Sequence, residues 1–339
     1  MSKTDLNYDV PLTPSVLRWA RETSGLSIEE VANKLKRKTV TSETIEAWER
    51  GEGAPTYAQL ESLAYDVYKR PLALFFFPAP PEEKTPRQAF RTLPEQEIRK
   101  ISTRLRYLLR QAQVRQIYLA ELHEDAFARV RHFLRDLRID PGISVAEMAK
   151  RVREYLAISL EAQSEWKNAG EAFKRWRDAL ESCEVFVFKE AFKDETVSGF
   201  CLFDEFFPVI YINNSKPDTR QIFTLFHELA HLLSRTGGID KPIEGYIRHL
   251  RGYDRQIEML CNQFAAEFLV PDTDFDWRLK QLSSVRGQNV EELSRQYHVS
   301  REVILRKLLD RKRITQVEYD QKVEKWSKQA QNADGKKNK

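Results

Sequence analysis

The sequence predicts a mainly helical chain of several domains, with one small α+β unit set near its centre. Three observations predict it. Apolar residues recur at three- and four-residue spacing over most of the chain. Three short β-branched or aromatic runs, at 185–188, 199–203 and 209–212, break that period and are bounded by polar turns. Directly after them, His227-Glu228-Leu229-Ala230-His231 sits inside an apolar helical stretch.

Taken in order, residues 1–80 read as a five-helix bundle, with helices at 14–22, 28–35, 42–50, 57–67 and 72–77. Ser27-Ile-Glu-Glu30 is a capping box for the second helix. Thr41 or Ser42 caps the third, and Gly51 and Gly53 stop it. Prolines at 78, 80, 81 and 86 block a helix and predict a linker over 81–94. A helical connector follows over 95–180: one long helix or two to about 137, then a stretch opened by Ser144 with Glu147 three residues on. Residues 181–272 hold the three runs, read as a short antiparallel sheet, then a helix at 218–234 closed by Gly237-Gly238 and another at 255–269 stopped by Pro271. Residues 273–328 form a C-terminal module of short helices that resembles a helix-turn-helix unit. The tail 329–339, with no apolar residue except Ala, is predicted to be disordered.

Composition narrows the function classes. Lys and Arg number 55 against 51 Asp and Glu, a net charge of +4, and residues 1–80 hold 10 against 11, so charge alone does not mark a nucleic-acid binder. Cys183, Cys201 and Cys261 are odd in number and widely spaced. They support neither a disulfide framework nor a cysteine zinc finger, and a reducing, cytoplasmic compartment fits. Cys183 and Cys201, on predicted strands, read as core thiols. The start of the chain lacks an apolar signal-peptide core. The longest apolar run, 72–77, falls far short of the ~20 residues that span a bilayer, so secretion and membrane insertion are excluded.

The strongest chemical signal is the HExxH pattern. Histidines at i and i+4 lie one turn apart on one helical face, so His227 and His231 can reach a single Zn²⁺. Glu228, adjacent to the first of them, can face a water at the metal and take its proton as general base. Such a centre needs a third protein ligand. Glu258 is the choice, because Leu260, Phe264, Ala265 and Phe268 form the buried stripe of its helix and leave Glu258 and Asn262, at i and i+4, on an adjoining face. One ligates and the other supports it. Cys261, Asp254 and His249 are the competitors, and His249 is also a candidate oxyanion donor. His123, His132 and His298 lack ligand spacing.

The second signal is the tandem of short helices in the first unit, the layout in which a later helix lies in the DNA major groove. Thr41, Ser42 and Thr44 can bond phosphates or base edges. Lys36, Arg37 and Lys38 in the turn, with Arg50, can contact the backbone. Glu43 and Glu46 turn negative charge toward that groove, which leaves a protein-binding or purely structural bundle as the alternative.

Residues 14–77, with Trp48-Glu-Arg-Gly51, Pro55 and Leu63-Ala64, resemble the Cro/C1-type (XRE) helix-turn-helix domain. Residues 180–272 resemble the ImmA/IrrE family of metallopeptidases, through Phe223-Thr-Leu-Phe-His-Glu-Leu-Ala-His-Leu-Leu233, Glu258-x-x-x-Asn262-x-Phe-Ala-Ala266 and Leu269-Val-Pro271. The resemblance implies a zincin-like fold, zinc held by His227, His231 and Glu258, and Glu228 as base. It also implies a narrow substrate, a specific partner protein such as a repressor. The expected function is thus a transcription-linked zinc metallopeptidase with DNA binding, for which promoter DNA is a further partner and a homodimer would double the contacts. The alternative is a non-proteolytic DNA-binding autoregulator or antitoxin-like protein that holds a neighbouring gene product, its zinc site structural. Mn²⁺ and Co²⁺ also suit a His₂Glu set.

Overall fold

The computed structural model describes residues 12–36, 39–83, 86–90, 95–122, 133–137, 142–240, 250, 252–281 and 287–337. They are mainly helical, with one four-stranded sheet. The chain divides into two compact units, residues 1–118 with 192–194, and residues 119–191 with 195–339.

The first unit is built from α1 (Pro14–Thr23), α2 (Ile28–Leu35), α3 (Ser42–Arg50) and α4 (Tyr57–Glu61), which continues as a π-helical stretch (Ser62–Tyr68) before a 3₁₀ turn (Leu72–Phe76). Local sequence accounts for these boundaries. Ser27 accepts from the Glu30 N–H while Glu30 reaches back to the Ser27 N–H, and Thr41 pairs with Thr44 in the same reciprocal way. Gly51, at φ +80°, closes α3 in the left-handed conformation that favours glycine. The core gathers Val16, Leu17, Val31, Ile45, Trp48 and Leu60. Across it, Arg21 of α1 grips the buried Glu49 of α3 with two bonds of 2.7 and 2.9 Å, which explains the Trp48-Glu-Arg-Gly51 run. Trp48 packs, Glu49 pairs and Gly51 turns the chain. After α5 (Pro86–Ala89) and α6 (Glu95–Arg99), α7 (Thr103–Leu122) begins in this unit, where Arg110 Nη2 donates to the carbonyls of Tyr68 and Lys69 at 3.2 and 3.3 Å.

The second unit holds α8 (Phe133–Asp136), α9 (Val145–Tyr155), α10 (Leu160–Glu165), α11 (Ala169–Glu181), β1 (Phe186–Glu190), β2 (Gly199–Leu202), β3 (Val209–Asn213), α12 (Asp218–Leu233), β4 (Gly238–Asp240), α13 (Gly252–Leu269), α14 (Asp272–Gln281), α15 (Gly287–Tyr297), α16 (Arg301–Asp310) and α17 (Gln316–Lys337). One apolar core draws residues from α8 through α17, so the segments before and after the sheet fold around the same centre. Ser144 caps α9 through the Glu147 N–H, as its sequence predicts.

Two sequence expectations are corrected here. The sheet is mixed: its order is β1-β3-β2-β4, and β1 pairs with β3 in parallel, Phe186 opposite Val209 to Glu190 opposite Asn213. Residue alternation fixes which faces are buried but says nothing about strand direction. Gly238 does not close a helix; it opens β4, a three-residue strand too short to carry any period, antiparallel to β2. The last helix, α17, is described to Lys337.

The sheet and helices enclose α12, whose residues from Gln221 to Leu233 are nearly all buried, as an all-round apolar helix requires. Trp176 of α11 meets Phe226 of α12 edge-on at 5.0 Å and Phe268 of α13 at 5.2 Å, while Phe226 stacks on Phe268 at 4.1 Å. This aromatic trio sets α12 against α13, and so sets the HExxH face against Glu258.

Candidate metal centre

His227 and His231 of α12 and Glu258 of α13 are all buried, and their ligand atoms lie within 4.8 Å of one another. The two Nε2 atoms are 3.2 Å apart. Glu258 places Oε2 3.4 Å from Nε2 of His227 and Oε1 3.3 Å from Nε2 of His231. A tetrahedral ion with donors at about 2.0–2.1 Å needs donor–donor edges of about 3.3–3.4 Å, so the three side chains are spaced to fit one.

The surrounding hydrogen bonds fix which atoms face inward. Asn262 Nδ2 donates to the Glu258 carbonyl at 2.9 Å, which orients its amide so that Oδ1 accepts from Nδ1–H of His227 at 3.2 Å. His227 therefore turns an unprotonated Nε2 to the centre. His231 Nδ1 lies 3.2 Å from the Thr236 hydroxyl. Two imidazole nitrogens and a carboxylate facing one another out of water form an arrangement that attracts a cation. The same crowding raises the affinity of His227 for a proton: burial works against it, but Asp240 and Glu258 outweigh burial. Burial also opposes ionisation of Glu258, yet the adjoining imidazoles hold its carboxyl well below the usual range.

Glu228 stands apart from this triangle. Its Oε1 accepts from the Asp240 main-chain N–H at 2.9 Å, while its buried Oε2 has no hydrogen-bond partner among the described residues. Burial, helped by Asp240 and Glu258 and opposed by His231 and the Cys201 thiol, pushes its carboxyl up to about 8. Asp240 is itself locked, its carboxylate taking both oxygens' worth of Arg220 Nη2 at 2.7 and 2.6 Å and the Thr224 hydroxyl at 2.7 Å. A carboxylate held by one oxygen and free at the other suits proton transfer.

The structure brings His227, His231, Glu228, Glu258 and Asn262 together. Of the competing ligands, Cys261 is buried on α13 outside the triangle, and Asp254 sits one turn before Glu258, half-buried, its carboxyl raised by burial and by the Glu258 charge. His249 lies outside the described residues, as do His123 and His132. Cys201 is buried in β2; Cys183 is buried in the turn before β1 rather than in a strand. Sequence reasoning passes over Arg220, Thr236 and Asp240, and takes Gly238 only as part of a helix stop. The doubled Gly237-Gly238 was the available signal, since one glycine suffices to stop a helix. A Cβ on Gly238 would fall 2.3 Å from Cδ2 of His231.

In the first unit, Thr41 and Thr44 spend their hydroxyls on the α3 cap, at 3.2 Å from each other. Ser42 is half-buried, and Lys36 is exposed at φ +52° at the end of α2. Arg50 is exposed but pairs with Glu52 at 2.8 Å and Glu46 at 3.6 Å. Arg37 and Lys38 lie outside the described residues. Among the described residues, no helix is long and apolar enough to cross a membrane.

Residues 180–309 match the peptidase-family model described as IrrE N-terminal-like domain, and residues 17–64 match the model described as helix-turn-helix. The first match covers the sheet, α12, α13 and the helices up to α16. No curated protein matches the chain significantly.

Proposed function

Residues 180–309 belong to the IrrE N-terminal-like peptidase family and residues 17–64 to the helix-turn-helix family, and from that premise we propose a DNA-associated zinc metallopeptidase that cleaves a specific partner protein. The observation that supports this reading is Glu228, buried beside the two imidazoles and the Glu258 carboxylate, held through one carboxylate oxygen and, among the described residues, unpartnered at the other. A purely structural metal site has no use for such a group.

His227, His231 and Glu258 would hold the ion. Two imidazoles and a carboxylate are a borderline donor set that suits zinc and accepts Mn²⁺ or Co²⁺. When bound, the ion supplies Lewis acidity toward a peptide carbonyl and lowers the pKa of water. Glu228 then takes the proton of the attacking water at Oε2 and passes it to the leaving amide nitrogen. The Asp240 N–H keeps Oε1 fixed meanwhile, and Asn262 keeps His227 from turning.

The helix-turn-helix domain supplies DNA binding, with Lys36, Arg37, Lys38, Ser42 and Arg50 as the contacts. Because Thr41 and Thr44 are engaged in the cap and Arg50 in ion pairs, phosphate contacts from Lys36, Arg37 and Lys38 carry most of the affinity.

Co-expression with the products of neighbouring genes tests the proposal, comparing the natural chain with Glu228→Gln. Loss of one partner with the natural chain, and its accumulation in complex with Glu228→Gln, is the expected result. An identical, intact complex with both would replace peptidase activity by the antitoxin-like holding role.

A further inference from the structure

We propose, on the reading that His227, His231 and Glu258 form a metal centre, that Thr236 is a positioning residue for it, fixing the tautomer and ring orientation of His231. The argument starts from how α12 ends. Arg235 takes φ +56°, the left-handed conformation, and turns the chain back on the helix. Its N–H donates to the Leu232 carbonyl at 2.9 Å, and the N–H of Thr236 donates to the His231 carbonyl at 2.9 Å. This pair of bonds is the Schellman arrangement, and it brings the residue two positions past the helix end over the residue in its last turn. Here those residues are Thr236 and His231, so the helix stop itself delivers a hydroxyl to a ligand.

The proton count assigns the tautomer. The Thr236 hydroxyl lies 3.1 Å from the His231 carbonyl and 3.2 Å from His231 Nδ1. A hydroxyl has one proton and two lone pairs, and a carbonyl oxygen only accepts. With the proton given to the carbonyl, a lone pair is left for Nδ1, which must carry a hydrogen to use it. Nε2 is then a bare lone pair facing Glu258 Oε1 at 3.3 Å and His227 Nε2 at 3.2 Å. Thr236 does for His231 what Asn262 does for His227. Gly238 completes the setting: its main chain lies so close to the imidazole that a Cβ there would be 2.8 Å from Nε2, which leaves the ring no room to swing toward β4.

Thr236→Val removes the hydroxyl at nearly constant volume, and Thr236→Ser keeps it. In the full-length protein, Zn²⁺ affinity is measured by chelator competition at fixed pH, and the Nδ1–H resonances of the zinc-loaded protein by ¹⁵N NMR. The expected result is about a 10–100-fold loss of affinity for Thr236→Val, with displacement of one of the Nδ1–H resonances. Thr236→Ser, which keeps the hydroxyl, should fall short of that loss of about 10–100-fold and stay close to the natural affinity. Unchanged affinity and resonances in Thr236→Val would overturn the proposal, as would equal losses in both variants, which would assign the effect to the threonine methyl. A natural chain that takes up no Zn²⁺ would instead overturn the metal reading on which the proposal rests.

Discussion

Replacing Gly238 with alanine should cost the protein both stability and metal. Gly238 does not occupy the left-handed region, so the effect of alanine there is steric. The added Cβ would sit 2.3 Å from Cδ2 and 2.5 Å from Cγ of His231, against an ordinary carbon–carbon contact of about 3.5 Å. Something must move by about 1 Å. If the imidazole moves, its 3.2 and 3.3 Å edges with His227 and Glu258 open beyond what one ion can bridge. If β4 moves, the 2.9 Å bond from the Asp240 N–H to Glu228 is lost and the base is no longer held. Overpacking of this kind costs about 1–3 kcal/mol. For a unit of this size that is a fall in Tm of about 2–12 °C. Zinc affinity should fall by about 100-fold or more, because the displaced group is itself a ligand. Differential scanning calorimetry of the metal-free protein and chelator competition read the two effects separately. Natural Tm and natural zinc affinity in Gly238→Ala would refute the close approach of β4 to His231.

Three further outcomes follow from other parts of the molecule. Glu49→Ala should destabilise the helix-turn-helix unit by about 3–5 kcal/mol, since it strands the mostly buried Arg21 guanidinium, with a smaller loss for Glu49→Gln; thermal unfolding followed by circular dichroism checks it. Burial opposes ionisation of Asp272, but its bonds to Lys307 and Arg311 prevail and bring its carboxyl down to about 2. Its contribution is then present above the unfolded-state value of about 3.9 and is lost as pH falls toward 2. The stability gap between the natural chain and Asp272→Asn, about 1 kcal/mol because the carboxylate is half-exposed, should therefore close over that window. Reversing the charges of Lys36 and Arg37 should weaken binding to duplex DNA and flatten the dependence of log K on log salt by about 0.9 per lost phosphate contact; fluorescence anisotropy at several salt concentrations measures both.

Where the chain's chemistry is local, its sequence is a sufficient guide. The i, i+4 spacing of His227 and His231, and of Glu258 and Asn262, fixes which side chains share a helical face, and the structure brings all four together. The capping boxes at Ser27 and Thr41 and the cap at Ser144 are equally local. What the sequence leaves unread depends on the chain returning from a distance. Asp240 matters through a main-chain N–H, which no side-chain pattern encodes, and Gly238 matters because a strand of three residues passes against a ring. The parallel pairing of β1 with β3 is a property of the path between strands rather than of the strands. Thr236 falls between these cases: its role comes from a local helix stop, but the stop is made by Arg235 in a conformation that glycine usually supplies.

The most direct test of the metal centre is the metal content of the purified full-length chain, measured by inductively coupled plasma mass spectrometry after zinc loading and desalting, for the natural sequence, Glu228→Gln and Glu258→Ala. One zinc per chain in the first two, and its loss in Glu258→Ala with the fold retained by circular dichroism, is the predicted result. Zinc retained in Glu258→Ala, or lost in Glu228→Gln, would contradict the assignment of Glu258 as ligand and Glu228 as base.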